Sequence, residues 1–327
     1  MECGNLFPHF CFMQIVQAPR ASAILYNLLV SQASDLPWLM PANICPIVPI
    51  TFFKAHVPFE FVDISAETLH MDQKQSEALI KKRKYGGLLY AHTYGESSAP
   101  ADFFANFKSL DPELLILDDR CLCIPDLEPD HNSSADVILY STGYAKIVEL
   151  NFGGYAFMRV GVPYQPQQLP FSAQDREELE ESYKESIAKN SKFIYRDSNW
   201  LETESDLPAK YDYQQLIKNG LKESLQQRAT LNAIYAAKLP VEIQLSNGYQ
   251  TWRFNIRVKN KKHIYESIFK AGLFASSHYA SLAGIMSGGR APQAEMLANE
   301  IINLFNDHHF SAYQAGQVCA AIVENLN

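Results

Sequence analysis

Between residues 59 and 158 the chain keeps returning to one pattern: four to six mostly apolar residues, then a helical stretch or a polar loop. Residues 59–63, 87–92, 114–119, 136–141 and 154–158 are the apolar runs, each the length of a strand. Helices are predicted over 21–30, with Ala23, Ile24, Leu28 and Leu29 on one side, over 76–82 and around 103–107. Prolines 41, 46 and 49 punctuate the passage that follows residues 37–40. Short strands alternating with helices predict an α/β fold, a mostly parallel central sheet with helices on both faces. In such sheets ligands sit at the carboxyl ends of the strands. Three of the strands end there in polar residues: His92-Thr93-Tyr94, Asp118-Asp119 and Ser141-Thr142.

Residues 168–215 break the pattern. They are charged, weakly periodic and hold the acidic run 177–181, which reads as a surface helix followed by a loop, an interface or a lid. From 216 the spacing predicts a long helix to 239, a strand over 251–258, a helix over 262–271 and two last helices over 291–305 and 313–326. A large domain over 1–215 and a smaller α+β domain over 216–327 are therefore expected. The formal net charge of −8 argues against a nucleic-acid surface. The basic run 81–84 reads as a solvated helix C-terminus, where cations suit the dipole. Six cysteines, at 3, 11, 45, 121, 123 and 319, read as reduced thiols. Cys121 and Cys123 alone lack the spacing of a zinc site, and no metal is expected. With no secretory signal and no run of ~18 apolar residues, a cytoplasmic chain without a membrane partner is expected.

The strand at 136–141 delivers a hydroxyl residue, Ser141. Lys146 follows five residues later, and Gly153-Gly154 turns the chain into the next strand. A lysine between a strand end and a glycine turn lies near the ligand crevice, where pyridoxal 5'-phosphate (PLP) would need an amine. Taken alone, a surface lysine in a loop is the plainer reading. Asp119, at the preceding strand end, changes the balance, because a carboxylate is what the ring nitrogen of PLP needs. A helix cap or a metal-binding acid pair is the competing reading of Asp118-Asp119. Adjacent strand residues point to opposite faces, so the two do not easily share an ion. For the phosphate, a helix N-terminus is required. Ala21 and Ser22 open the first helix, with Arg20 beside them and the Ser141 hydroxyl within the same region of the sheet.

These residues resemble the DegT/DnrJ/StrS aminotransferases, PLP enzymes of fold type I. Ser141, Lys146, Gly153 and Gly154 match that family's hydroxyl–lysine–Gly-Gly pattern. Asp118-Asp119 matches its acidic strand end, Ala91-His92-Thr93-Tyr94-Gly95 its Val-His-x-Tyr-Gly, Phe61-Val62-Asp63 its opening strand, and His278-Tyr279-Ala280 its His-Tyr-Pro. The resemblance implies an enzyme that aminates a keto sugar, nucleotide-linked, with glutamate as amino donor, working as a homodimer. It implies Lys146 as the Schiff-base residue and Asp119 as the ring partner. Ser141, Ala21, Ser22 and Cys45 would help to bind the cofactor, and Tyr94, His278 and Tyr279 the substrate. Four departures stand out. Arg20-Ala21 replaces Gly-Thr at the phosphate helix, Cys45 or Asn43 replaces an aromatic cover, Leu122 replaces Gln or His, and Ala283 replaces a second His. They leave open a PLP-binding relative with altered chemistry, such as dehydration, or a non-catalytic regulatory role. A cofactor-free nucleotide or sugar module is disfavoured, because neither Gly-x-Gly-x-x-Gly nor a P-loop is present.

Overall fold

The computed structural model describes residues 13–96 and 101–326; Cys3 and Cys11 lie outside them. Among these residues a central sheet is built from β1 (Met13–Ala18), β2 (Trp38–Pro41), β3 (Phe59–Val62), β4 (Gly87–Ala91), β5 (Leu115–Asp119), β6 (Val137–Ser141) and β7 (Gly154–Arg159). The spatial order is β1-β7-β6-β5-β4-β2-β3. Only β7 runs against its neighbours; every other pair is parallel. The expected mostly parallel sheet is therefore present. β1 was not anticipated. It is an edge strand, half-buried along most of its length, so its Met-Gln-Ile-Val-Gln-Ala sequence carries little of the apolar signal of a buried strand.

Strand periodicity divides the core into two layers. Leu89, Leu115, Leu117, Val137 and Leu139 face α1 (Ala21–Ser31) and α2 (Ile47–Lys54), packing with Leu25, Leu28, Ile50 and Phe52. Leu88, Tyr90, Ile116, Ile138 and Tyr140 face α3 (Gln73–Ile80) and α4 (Ala101–Leu110), packing with Ile80, Phe103, Phe104 and Phe107. β4 opens on a glycine because the Trp38 indole lies over it. A Cβ at residue 87 would meet three ring carbons at 2.6 Å. Gly87→Ala is accordingly expected to cost ~1–3 kcal/mol by overpacking, read as a lower denaturant midpoint with unchanged slope.

The 168–215 segment forms α5 (Ala173–Ala188), N-capped by the Ser172 side chain, and then irregular chain. The expected boundary at 215 falls inside a continuous helix, α6 (Lys210–Lys238). Its first turns pack Tyr213 and Ile217 into the large sheet layer, and its later turns pack Leu231 and Tyr235 into the C-terminal core. That core also holds β8 (Phe254–Arg257), α7 (Lys261–Lys270), β9 (Ile301–Leu304) and α9 (Ala312–Val323), with α8 (Pro292–Ala298) between α7 and β9. The helix expected over 291–305 is thus two elements. α8 stops at Ala298, and the fully buried Ile301-Ile302-Asn303-Leu304 pairs antiparallel with β8. β-branched residues and an otherwise unpaired edge on β8 favour the strand.

Candidate active site

β6 and β7 are hydrogen-bonded neighbours, with Ser141 opposite Gly154. Residues 142–153 therefore form a loop that leaves the carboxyl end of β6 and returns beside it. Two glycines close it for different reasons. Gly153 sits at φ +89, and a Cβ there would lie 2.3 Å from Tyr213 Oη; that hydroxyl in turn hydrogen-bonds Thr142 Oγ1 at 2.6 Å. Gly154 lets the start of α1 approach, since a Cβ would lie 2.5 Å from the Ala21 nitrogen. The backbone around Lys146 is clamped from the C-terminal half. Arg228 Nη2 donates to the Lys146 carbonyl at 3.1 Å and Trp252 Nε1 to the Ala145 carbonyl at 2.7 Å. The Ser224 hydroxyl donates to the Ile147 carbonyl. Glu149 Oε2 accepts from the Ala145 amide at 2.9 Å.

Lys146 and Asp119 line one cavity at the carboxyl ends of β4, β5 and β6, together with Cys45, His92, Cys121 and Tyr279. Among the described residues the Lys146 ammonium makes no hydrogen bond or ion pair; only its carbonyl is engaged. Asp119 Oδ1 accepts from the Cys121 amide at 3.0 Å. Burial pushes the Cys45 thiol up, against the pull of Lys146. Burial, and then the neighbouring Cys45 and Asp119, raise the Tyr279 phenol, whose hydroxyl contacts the Cys45 sulfur. His278, packed against Trp252 with ring centroids 5.3 Å apart, is pushed down to about 4 by burial and by the positive charges of Arg253 and Lys146. It is a neutral imidazole at neutral pH. The cavity measures about 30 Å³, room for about one water molecule.

Ser141, Ala21 and Ser22 stand beside this cavity and not in its wall. α1 begins at Ala21 with no side chain capping its first amides. Arg20 lies there as well: its Nη1 donates to the Asn151 carbonyl at 2.9 Å and its Nε pairs with Glu202 at 2.8 Å. The start of α1, the Ser141 hydroxyl and a guanidinium already paired with Glu202 thus meet at one corner.

No protein-family model and no curated protein matches the sequence. Solved structures do match. A DegT DnrJ EryC1 StrS aminotransferase from Brucella abortus superposes with a TM-score of 0.68 at 14% identity, covering 96% of this chain and 86% of that one. Helicobacter pylori PseC, an aminotransferase involved in the biosynthesis of pseudoaminic acid, gives 0.68 at 14% identity over 96% and 86%. DesI in the presence of its TDP-sugar product gives 0.70 at 13% identity over 94% and 79%. The fold is that of the fold type I PLP-dependent aminotransferases. At these identities the likeness establishes architecture.

Within that fold Asp118 and Asp119 point to opposite faces, as strand alternation requires. Asp118 is fully buried. It accepts from Arg120 Nε at 2.7 Å and faces His92 Nε2 at 2.6 Å; His92 Nδ1 faces Glu96 Oε1 at 2.6 Å. This buried charge chain holds Asp118 at the sheet end. The Tyr94 ring, expected near substrate, is fully buried among Ala42, Ile64, Leu69 and Ala294, outside the wall of the Lys146 cavity. Arg228, Trp252, Ser224 and Glu149 carry no sequence signal, because each acts on the Lys146 loop from far along the chain or through backbone. Glu149, His308 and His309 bring potential donor atoms within 4.8 Å of one another, both histidines exposed.

The charge chain has a pH signature. Burial alone would raise the Glu96 carboxyl, but the His70 and His92 imidazoles that face it overcome this and hold it at about 2. A carboxyl depressed in the folded state stabilises above its unfolded value, ~4.3, and that contribution is lost as pH falls toward 2. Glu96→Gln is expected to flatten the loss of unfolding free energy over this window, measured by denaturant titration at several pH values.

Proposed function

We propose that this chain is a PLP-dependent aminotransferase that aminates a keto sugar, nucleotide-linked, with glutamate as amino donor. The observation that carries the reading is the pairing of an unengaged lysine ammonium with an aspartate in one cavity at the strand ends. The structural neighbours include DesI, solved in the presence of its TDP-sugar product, and PseC, involved in the biosynthesis of pseudoaminic acid. No helix among the described residues is long and apolar enough to cross a membrane. A cytoplasmic homodimer with a PLP-binding domain over 1–215 and a C-terminal domain over 216–327 completes the proposal.

The residues present fit PLP at its reactive end. Among the described residues no carboxylate is paired with the Lys146 amine, and Asp119 offers a carboxylate for the ring nitrogen. Ser141, the first amides at Ala21 and Ser22, and Arg20 offer an anion-binding corner. When bound, the cofactor supplies an electron sink. Lys146 Nζ, as the neutral amine, would take the proton from the α-carbon of the amino donor. Asp119 would hold the proton on the ring nitrogen. Neutral His278 adds no competing positive charge beside Lys146. Cys45 and Tyr279 cover the site and exclude water.

Tyr279 also occupies space the cofactor needs, since about 30 Å³ remains around it. Uptake therefore requires the ring to swing aside, and the competent state is a fraction of the population. Tyr279→Ala is expected to speed cofactor association by ~10-fold or more, measured by rapid-mixing absorbance. The test of the function is an absorbance scan of the PLP-loaded protein before and after glutamate. Conversion to the pyridoxamine spectrum supports transamination. An unchanged spectrum would instead favour the altered-chemistry reading, which the Arg20–Glu202 pair at the phosphate corner motivates.

A further inference from the structure

A second recess lies on the other side of the sheet end. It is walled by the connection from β3 to α3, by Tyr90 and Glu96 at the exit of β4, and by Tyr249 and Gln293 from the C-terminal half. Its volume is about 710 Å³, and it shares no lining residue with the Lys146 cavity. Clefts between the two halves of a chain are where small ligands most often bind.

Its floor is built and chemically incomplete. His70 and Glu96 are each 5% exposed, and His70 Nε2 faces Glu96 Oε1 at 2.9 Å. Among the described residues, Glu96 Oε2, Gln293 Oε1 and both His70 ring nitrogens are buried without a hydrogen-bond partner. A buried carboxylate oxygen with nothing to accept from is costly, and folded proteins rarely leave one so. The walls are aromatic. The Tyr249 ring lies nearly parallel to His70 at 5.7 Å and 27°, and Tyr90 stands 5.6 Å away. Glu67, Asp72 and Glu96 outnumber Lys74 in the lining. At the rim, the Ser65 and Thr68 hydroxyls accept from backbone amides, which leaves their protons to donate.

We propose that this recess binds a small polyhydroxylated ammonium compound of the amino-sugar class. Its ammonium group answers the unpartnered Glu96 and Gln293 oxygens between aromatic faces, and its hydroxyls meet the rim. Neither wall nor floor involves Lys146, so the site stands whether or not the chain transaminates. Glu96 also ties it to the other cavity, since the same carboxylate holds His92 at 2.6 Å and His92 lines the Lys146 cavity.

Calorimetric titration of the full chain with glucosamine and with N-acetylglucosamine tests the proposal, because the acetyl group removes the charge and keeps the ring. Glucosamine is expected to bind saturably and N-acetylglucosamine at least ~10-fold more weakly. Gln293→Leu and Tyr249→Ala should each weaken glucosamine by a similar factor, ~10-fold, and Lys146→Ala should leave it unchanged. Tyr249 also donates to the Thr68 carbonyl at 2.7 Å; Gln293→Leu keeps that link and so decides the matter if Tyr249→Ala fails to fold. No saturable heat with glucosamine, equal affinity for both sugars, or loss on Lys146→Ala with retention in Gln293→Leu would each overturn the proposal.

Discussion

Replacing Lys146 by alanine is expected to lower transamination by at least ~10³-fold while leaving the fold intact. The two halves of that expectation have separate causes. The loop holds Lys146 by its backbone: the carbonyl accepts from Arg228, and the flanking residues are fixed by Trp252, Glu149 and Ser224. The side-chain amine has no partner among the described residues, so removing it breaks no ion pair and unburies no counter-charge. Melting temperature should therefore stay close to the parent value. The chemistry, by contrast, loses both its attachment point and its base in one change. Lys146→Arg keeps the charge but lacks a primary amine for the attachment, and should fail to rescue. A Lys146→Ala protein with near-parental turnover would remove the residue from the mechanism.

Asp119→Asn is the second large effect, a loss of ~10²–10³-fold in turnover, the scale of removing one preorganised electrostatic group. Asparagine is nearly isosteric, and its oxygen can still accept from the Cys121 amide as Asp119 Oδ1 does. The end of β5 should thus keep its shape, and the change isolates charge from geometry. Asp118→Asn offers a contrast. Asp118 faces the opposite layer, held by Arg120 and His92. Breaking that buried charge chain should lower stability more than it alters the spectrum of a bound cofactor.

The parts of this site that lie on strand ends were legible in the sequence, because period-2 alternation fixes which residue of a strand faces which layer. Asp119 is placed in that way; Lys146, in the loop after β6, is legible only from its spacing to Ser141 and Gly153-Gly154. Tyr94 could not be placed, since it lies three residues beyond the end of β4, where no periodicity governs the direction of a side chain; it turned into the core. β9 was read as helix because Ile301 to Phe305 is a short apolar run directly after a helical stretch, and such runs do not reveal their own period. Arg228 and Trp252 reach the lysine loop from 82 and 107 residues away from the carbonyls they bind, a relation only the folded chain expresses. The phosphate corner was half visible. Ala21 and Ser22 were read at the start of α1, but the Arg20–Glu202 pair depends on where the irregular chain after α5 returns to the sheet.

The most direct measurement is peptide mapping after borohydride reduction of the PLP-treated protein. A single phosphopyridoxyl mass increment is expected on the peptide containing Lys146, abolished in Lys146→Ala. A modification on any other lysine, or none at all under conditions where PLP absorbance is retained, would contradict it.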